Sequence, residues 1–124
     1  MHQVHREKPK DRHEDFMNGP FWVRHRGLDN QLSHAFMFLP DKMKLPRNIR
    51  DPIALYTNLN LHASVICLHH AAVEKAEKYG HTDAIKRNSM SRLRASAEEI
   101  VNIVKLSCHN TAGFVRPTYP FSGV

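Results

Sequence analysis

The pattern of apolar positions is most informative between residues 59 and 79, a run of helix-forming residues that is apolar on more than one side. Leu59, Ile66 and Val73 recur at a spacing of seven residues. A second flank of the same helix carries Leu61, Val65, Leu68 and Ala72. A helix with apolar residues on more than one stripe must be covered on more than one side. The pattern therefore predicts the central helix of a larger α-helical body, in which Ile66 is buried if a full core forms.

Start and stop signals bound this central helix. Asp51 and Pro52 combine an N-cap carboxylate with a proline at the first helical position. Gly80 supplies the C-terminal stop, so the helix can run between these signals. Thr82 is the expected cap of the next helix, which extends to Cys108. The short break between the two helices predicts an antiparallel hairpin.

Two further segments complete the predicted fold. The second helix of the hairpin is amphipathic. Its apolar stripe consists of Ile85, Met90, Leu93, Ala97, Ile100, Val101 and Val104. A shorter helix is expected over about residues 21–37, from the turn at Pro20 to a stop before Pro40, and residues 38–50 read as an exposed connection. The fold class is all-α, a helical hairpin plus a shorter amino-terminal helix, as a fragment of a larger α-helical domain.

The two ends of the chain lack a regular pattern. Residues 1–18 have almost no apolar content before Phe16 and are expected to form a disordered charged leader. Residues 118–124 read as an irregular tail, which leaves residues 19–117 as one partial domain. No apolar run approaches the roughly 20 residues that cross a bilayer. The amino terminus also lacks the apolar region of a secretory signal, so we expect neither membrane insertion nor secretion.

The net charge is +6, and the positive surplus is largest in residues 19–50. Such a surplus can attract nucleic acid or acidic protein segments, and an aromatic residue beside arginines can stack on bases. The candidate contacts to nucleic acid or to an acidic partner are Trp22, Arg24, Arg26, Arg47 and Arg50. The alternative is a solvated basic face, with Trp22 anchored in the core.

Ten histidines and two cysteines raise the question of a metal or catalytic site. Four potential zinc ligands lie on one helix, namely His62, Cys67, His69 and His70. No second helix offers a matching pair, so these histidines are expected to pack and hydrogen-bond in the core. Cys67 with His70, or Cys108 with His109, could act as nucleophile and base, but neither pair has an orienting carboxylate or oxyanion donors nearby. We expect no metal site, no catalytic residue and no cofactor, and therefore no enzyme.

A family resemblance covers roughly residues 20–117. It rests on three blocks, which in order are FWVRHRGLDNQLSHAFMFLPDKMKLPRNIRDP, NLNLHASVICLHHAAVEKAEKY and ASAEEIVNIVKLSCHNTAGFVRP. Together they resemble the regulatory middle region of fungal zinc-cluster transcription factors, the domain also named for the xylanolytic activators. The second block is the most specific of the three.

The resemblance implies a regulatory domain fragment that acts in the nucleus, where it restrains or transmits activation of RNA polymerase II transcription. Members of the family read DNA through a six-cysteine cluster that holds two zinc ions. With two cysteines this chain cannot build that cluster, so DNA contact and zinc are expected only in a segment absent here. The implied partners are other proteins or the remainder of a larger transcription factor, with self-association also expected. The alternative from another class is a small basic helical nucleic-acid-binding module.

Overall fold

A computed structural model describes residues 18–80 and 83–115, with side chains as far as residue 109. This part of the chain forms three α-helices, α1 (Pro20–Met37), α2 (Pro52–Tyr79) and α3 (Asp83–Val115). A short 3-10 helix, Asp41–Met43, lies between α1 and α2. No strand occurs in these two ranges, which confirms the all-α class.

The boundaries of α2 follow from its predicted start and stop signals. The Asp51 side chain accepts a hydrogen bond from the Ile53 backbone N–H at 3.0 Å, and Pro52 is the first helical residue. Gly80 ends the helix in the left-handed region, with a φ of 71° that a residue with a Cβ rarely adopts. Both predicted ends of α2 are therefore confirmed. The predicted cap at Thr82 lies outside the described residues. The predicted end of α3 at Cys108 was wrong, because the helix continues to Val115.

Helices α2 and α3 form the predicted antiparallel hairpin, in a register fixed by two histidine–serine contacts. His62 Nδ1 lies 3.1 Å from the Ser96 hydroxyl, and His69 Nδ1 lies 3.2 Å from the Ser89 hydroxyl. The contacts are seven residues apart on each helix, so one register holds along the hairpin. It brings Cys108 level with the start of α2, as the sequence predicts.

The buried stripe of α2 differs from the predicted one. Small and polar residues dominate the buried positions, which are Ala54, Asn58, Val65, His69, Ala72 and Ala76. Leu59, Ile66 and Val73 are only half-buried, so the full core that would bury Ile66 does not form in the described part of the chain. Small residues on the contact stripe let the helices approach closely, and the larger aliphatic side chains then flank the contact. The core is correspondingly modest.

A similar correction applies to α3. Its buried positions are Ser89, Ser96 and Ile103, each seven residues apart. Val101 and Val104 were expected on the packed stripe but are exposed. A seven-residue repeat is the period of helices that pack along a continuous seam, and this period selects Ile103 rather than its neighbours.

Helix α1 packs antiparallel to α2. Trp22 near its start lies in one buried cluster with Ala72 and Ala76, whereas the Phe36 ring near its end lies 4.8 Å from the His62 ring. Residues 38–51 then return to the start of α2, where the Asn58 amide donates to the Met43 carbonyl at 2.7 Å. The connection is exposed for the most part, as predicted, but this hydrogen bond ties it to the hairpin.

The two ends of the chain, for which no regular structure is predicted, lie almost wholly outside the described residues. This holds for the charged leader predicted for residues 1–18 and for the irregular tail predicted for residues 118–124. Within the described ranges, no helix is long and apolar enough to cross a membrane.

The register of the hairpin predicts a sharp difference between two adjacent residues of α3. Ile103→Ala should lower the free energy of unfolding by about 2–5 kcal/mol, because it removes a side chain that is only 2% exposed. Val104→Ala is the matched control and should change the free energy by about 0.5 kcal/mol or less, since Val104 is exposed. Urea unfolding followed by circular dichroism measures both. Equal losses would contradict the packing of α3 described here.

Candidate functional site

A polar cluster around the buried His69 ring joins the three helices. Asp29 of α1 lies 3.1 Å from the ring nitrogen Nε2 of His69 in α2. Ser89 of α3 lies 3.2 Å from the other ring nitrogen, Nδ1. Arg92 of α3 contacts the same carboxylate with both terminal guanidinium nitrogens, at 3.0 Å and 3.3 Å. One carboxylate thus connects α1 to both helices of the hairpin.

The hydrogen-bonding capacity of each group fixes the direction of these bonds. An ionised Asp29 can only accept, so His69 must carry a proton on Nε2 and donate it. In the neutral ring Nδ1 then accepts from the Ser89 hydroxyl, whereas in the protonated ring Nδ1 donates to it. Both polar atoms of this buried ring are therefore satisfied in either protonation state. His69 is 1% exposed, so an unpaired nitrogen there would be costly.

The electrostatics of the cluster favour an ionised Asp29. Burial by itself raises the pKa of a carboxyl group, because it disfavours the charged form. Here the hydrogen bonds from His69 and Arg92 and their positive charge outweigh burial, so the pKa of Asp29 lies below its ordinary value. The Arg92 side chain is 40% exposed, so water partly screens its pair with Asp29.

His25, one turn before Asp29 on α1, is the second buried histidine. Its ring lies edge-on to the His69 ring, with 5.1 Å between the centroids, and edge-on to the Trp22 ring at 5.6 Å. Burial lowers the pKa of His25, and the neighbouring His69 lowers it further. Within the described part of the chain, its buried Nδ1 has no hydrogen-bond partner. This environment favours a neutral ring.

Serine, histidine and aspartate in contact also suggest a catalytic triad, but the groups are not arranged for nucleophilic attack. Ser89 is 3% exposed, so its hydroxyl is poorly accessible to a substrate. Asp29 is paired with Arg92, whose charge reduces the ability of the carboxylate to stabilise a protonated His69. A cleft of about 300 Å³ borders the cluster and is lined by Trp22 and His25 among others. The cluster serves best as a polar connection between helices, and the absence of enzymatic activity stays a prediction.

The sequence analysis did not identify Asp29, Ser89 or Arg92. A signal for the histidine–serine contacts was present, since two histidines seven residues apart on α2 face two serines seven residues apart on α3. The sequence held no comparable signal for the contacts of Asp29, because its partners His69 and Arg92 lie 40 and 63 residues further along the chain.

The predicted basic contacts do not form one patch. Trp22 is 2% exposed and packs in the core, so its ring is not available to stack on a base. Arg24 and Arg26 are exposed on α1, beside the second half of α2. Arg47 and Arg50 are exposed in the connection, which lies against the first half of α2. The two arginine pairs therefore lie along opposite halves of the hairpin.

The potential zinc ligands on α2 also separate. His62 and His69 pack and hydrogen-bond within the helical body as expected, but the His70 side chain is 63% exposed and lies 4.0 Å from Glu74. Cys67 and Cys108 are both exposed free thiols. Among the described residues, no group of three or more His, Cys, Asp or Glu side chains could hold a metal ion. That the chain binds no metal or cofactor stays a prediction.

One end of the helical body exposes most of the large apolar side chains. Because α1 and α3 both run antiparallel to α2, the end of α1, the start of α2 and the second half of α3 lie toward the same end. The exposed large apolar residues there are Met37, Phe38, Ile53, Tyr56, Val101, Val104 and Leu106. We call this set the apolar end. A contiguous exposed apolar patch marks an interaction site, whereas single exposed apolar side chains are ordinary.

Comparison of the chain with family models, with curated proteins and with solved structures finds no match. The resemblance to the fungal regulatory domain therefore depends on the three sequence blocks quoted above.

The connecting role of Asp29 predicts a loss of stability on neutralisation. Asp29→Asn keeps the shape of the side chain but removes the charge that Arg92 and His69 contact, so the free energy of unfolding should fall by about 1–3 kcal/mol. Asp41→Asn is the matched control and should have little effect, because Asp41 is an exposed partner of Lys44. Urea unfolding at neutral pH measures both variants. An unchanged stability of Asp29→Asn would show that the cluster does not hold α1 in place.

Proposed function

We propose that this chain is a helical regulatory module of a fungal zinc-cluster transcription factor, acting in the nucleus by binding other protein segments. The assignment to this class draws on the three sequence blocks. The observation that best supports a binding role is the apolar end. It offers a surface for a partner, whereas the Asp29 cluster offers no accessible reactive group.

The charge beside the apolar end favours an acidic partner. The connection that lies against the start of α2 carries four basic residues, namely Lys42, Lys44, Arg47 and Arg50. A second copy of the chain would bring these like charges together. An acidic segment with interspersed apolar residues would pair with the charges and cover the apolar side chains at the same time. We therefore propose an acidic, apolar-rich peptide segment as the partner.

A reporter assay tests the regulatory role. In a fungal strain, joining the chain to a heterologous DNA-binding domain should change the output of a reporter gene severalfold. Replacing Tyr56 and Val104 together by alanine should abolish the change, because both side chains belong to the apolar end. Val23→Ala is the matched control, an exposed apolar residue near the start of α1, and should leave the output unchanged. An unaltered output while the fusion is present in the nucleus would contradict the proposal.

A binding measurement tests the partner separately. By fluorescence anisotropy, a labelled peptide of alternating acidic and leucine residues should bind the chain, and the lysine counterpart of that peptide should not. The affinity should fall with added salt, because the basic connection contributes through charge. Equal binding of the two peptides would remove the charge argument, and concentration-dependent self-association without peptide binding would instead favour a second copy of the chain.

Weak contact with DNA is also expected. Trp22 is buried and the two arginine pairs lie along opposite halves of the hairpin, so binding to duplex DNA should be non-selective and should fall steeply with salt. Gel-shift measurements at physiological salt test this. Tight, sequence-selective retention that Arg24→Ala with Arg26→Ala abolishes would favour the alternative, a nucleic-acid-binding module.

A further inference from the structure

We infer that α1 is attached to the hairpin by a proton-sensitive contact, in which uptake of a proton by His25 releases α1 from α2 and α3 while the hairpin stays folded. This inference goes beyond the proposed function and depends on a different part of the molecule. It is carried by the packing of His25 and by the charges that face it.

The His25 ring occupies a site suited to a neutral imidazole. It is 8% exposed, and it stacks against the Phe21 ring with 6.1 Å between centroids while its edge contacts involve Trp22 and His69. Its buried Nδ1 has no hydrogen-bond partner among the residues that the structure describes. A neutral imidazole can leave one nitrogen bare, but an imidazolium carries an N–H on both. Protonation of His25 would therefore place both a positive charge and an N–H donor without a partner in a buried site.

The groups that face His25 come from all three helices. Helix α1 contributes Arg26 and Asp29, α2 contributes His69, and α3 contributes Arg92. The two arginines repel a charged His25, and so does His69 when it is protonated. Asp29 attracts it, but this carboxylate is already engaged by His69 and Arg92. Protonation of His25 thus adds a positive charge where the nearest negative charge is already paired.

The sign of the pH dependence follows from this environment. Burial first, and then the charge of His69, lowers the pKa of His25 below its ordinary value of 6.5. In the released state His25 is solvated and regains that ordinary value. Between the lowered pKa and 6.5 the released state binds more protons, so falling pH favours release. The contribution of His25 to the attachment of α1 is fully present above about pH 6.5 and falls as the pH drops toward the lowered pKa, and each unit of pKa lowering changes the equilibrium about tenfold.

A second histidine acts in the same direction at the other end of α1. His62 of α2 packs against the Phe36 ring, and burial lowers its pKa although Glu99 opposes the shift. The hairpin tolerates a proton there, because the charged ring can still donate from Nδ1 to the Ser96 hydroxyl. Protonation of His25 and His62 therefore weakens the contacts that these two rings make with α1 and α2 more than it weakens the contact between α2 and α3.

Trp22 reports the release directly, since it is the sole tryptophan of the chain and is buried in that contact. As the pH falls from about 8 to about 5, its emission should shift to longer wavelength and its quenching by acrylamide should rise severalfold. Emission wavelength and quencher access are measured rather than intensity, because a nearby imidazolium quenches indole without any movement. The far-ultraviolet circular dichroism should retain most of its helical signal over the same range.

Variants identify the titrating residue. His25→Phe keeps an aromatic ring but cannot take up a proton, so the Trp22 transition should move to lower pH or disappear, and His25→Gln serves if the larger ring disturbs packing. His70→Gln is the matched control, because the His70 side chain is exposed although it follows His69 directly in α2. Nuclear magnetic resonance titration of the wild-type imidazoles should place the His25 transition at the same pH as the Trp22 change. Unaltered Trp22 emission down to about pH 5, the same transition in the His25 variants, or simultaneous loss of the helical signal would overturn the inference.

Discussion

The carboxylate of Asp29 is the interaction on which the arrangement of the three helices depends. It accepts from His69 of α2 and from Arg92 of α3, so a single anion on α1 sets where the first helix lies along the hairpin. Around it, the apolar contact between α1 and the hairpin is small and centres on Trp22 with two alanines of α2. A buried charge is stabilising only while its partners are in place. The position of α1 is therefore specified by polar geometry more than by apolar burial.

In the hairpin, too, polar contacts rather than apolar burial fix how the helices lie against each other. Its seam holds Asn58, two histidines and two serines at positions where a larger apolar core would place leucine or isoleucine. Sliding α3 by one residue would separate the half-buried His62 from Ser96 and the buried His69 from Ser89, so both rings would lose their serine contacts at once. The register is consequently well defined although little apolar area is buried. The polar contacts fix the register of the two helices but bury little apolar surface. The aliphatic side chains that do not lie on the seam remain near the surface.

Sequence reasoning predicted the elements better than the faces on which they pack. The boundaries of α2 could be predicted because Asp51 and Gly80 act through local hydrogen bonds and local backbone geometry. The buried stripe could not, because Leu59 and Ile66 satisfy the apolar pattern as well as the alanines do, and only the approach of a second helix selects between them. Asp29 was missed for a related reason. A lone acidic residue on an amphipathic helix looks solvated until its partners, far along the chain, are placed beside it.

The two halves of the helical body differ in what holds them, and this difference bears on how the chain could respond to its surroundings. Along the second half of α2 the contacts involve a carboxylate, an arginine and two imidazoles packed edge to face, and the strength of such polar contacts changes with pH and salt. Toward the apolar end the side chains are aliphatic or aromatic and carry no titratable group apart from the Tyr56 phenol. Displacement of α1 would leave Ile53 and Tyr56 of α2 and Val104 of α3 on the hairpin, but it would remove Met37 and Phe38 from their side. Because residues of all three helices contribute to the apolar end, displacement of α1 would divide this set of side chains between two separate parts of the chain.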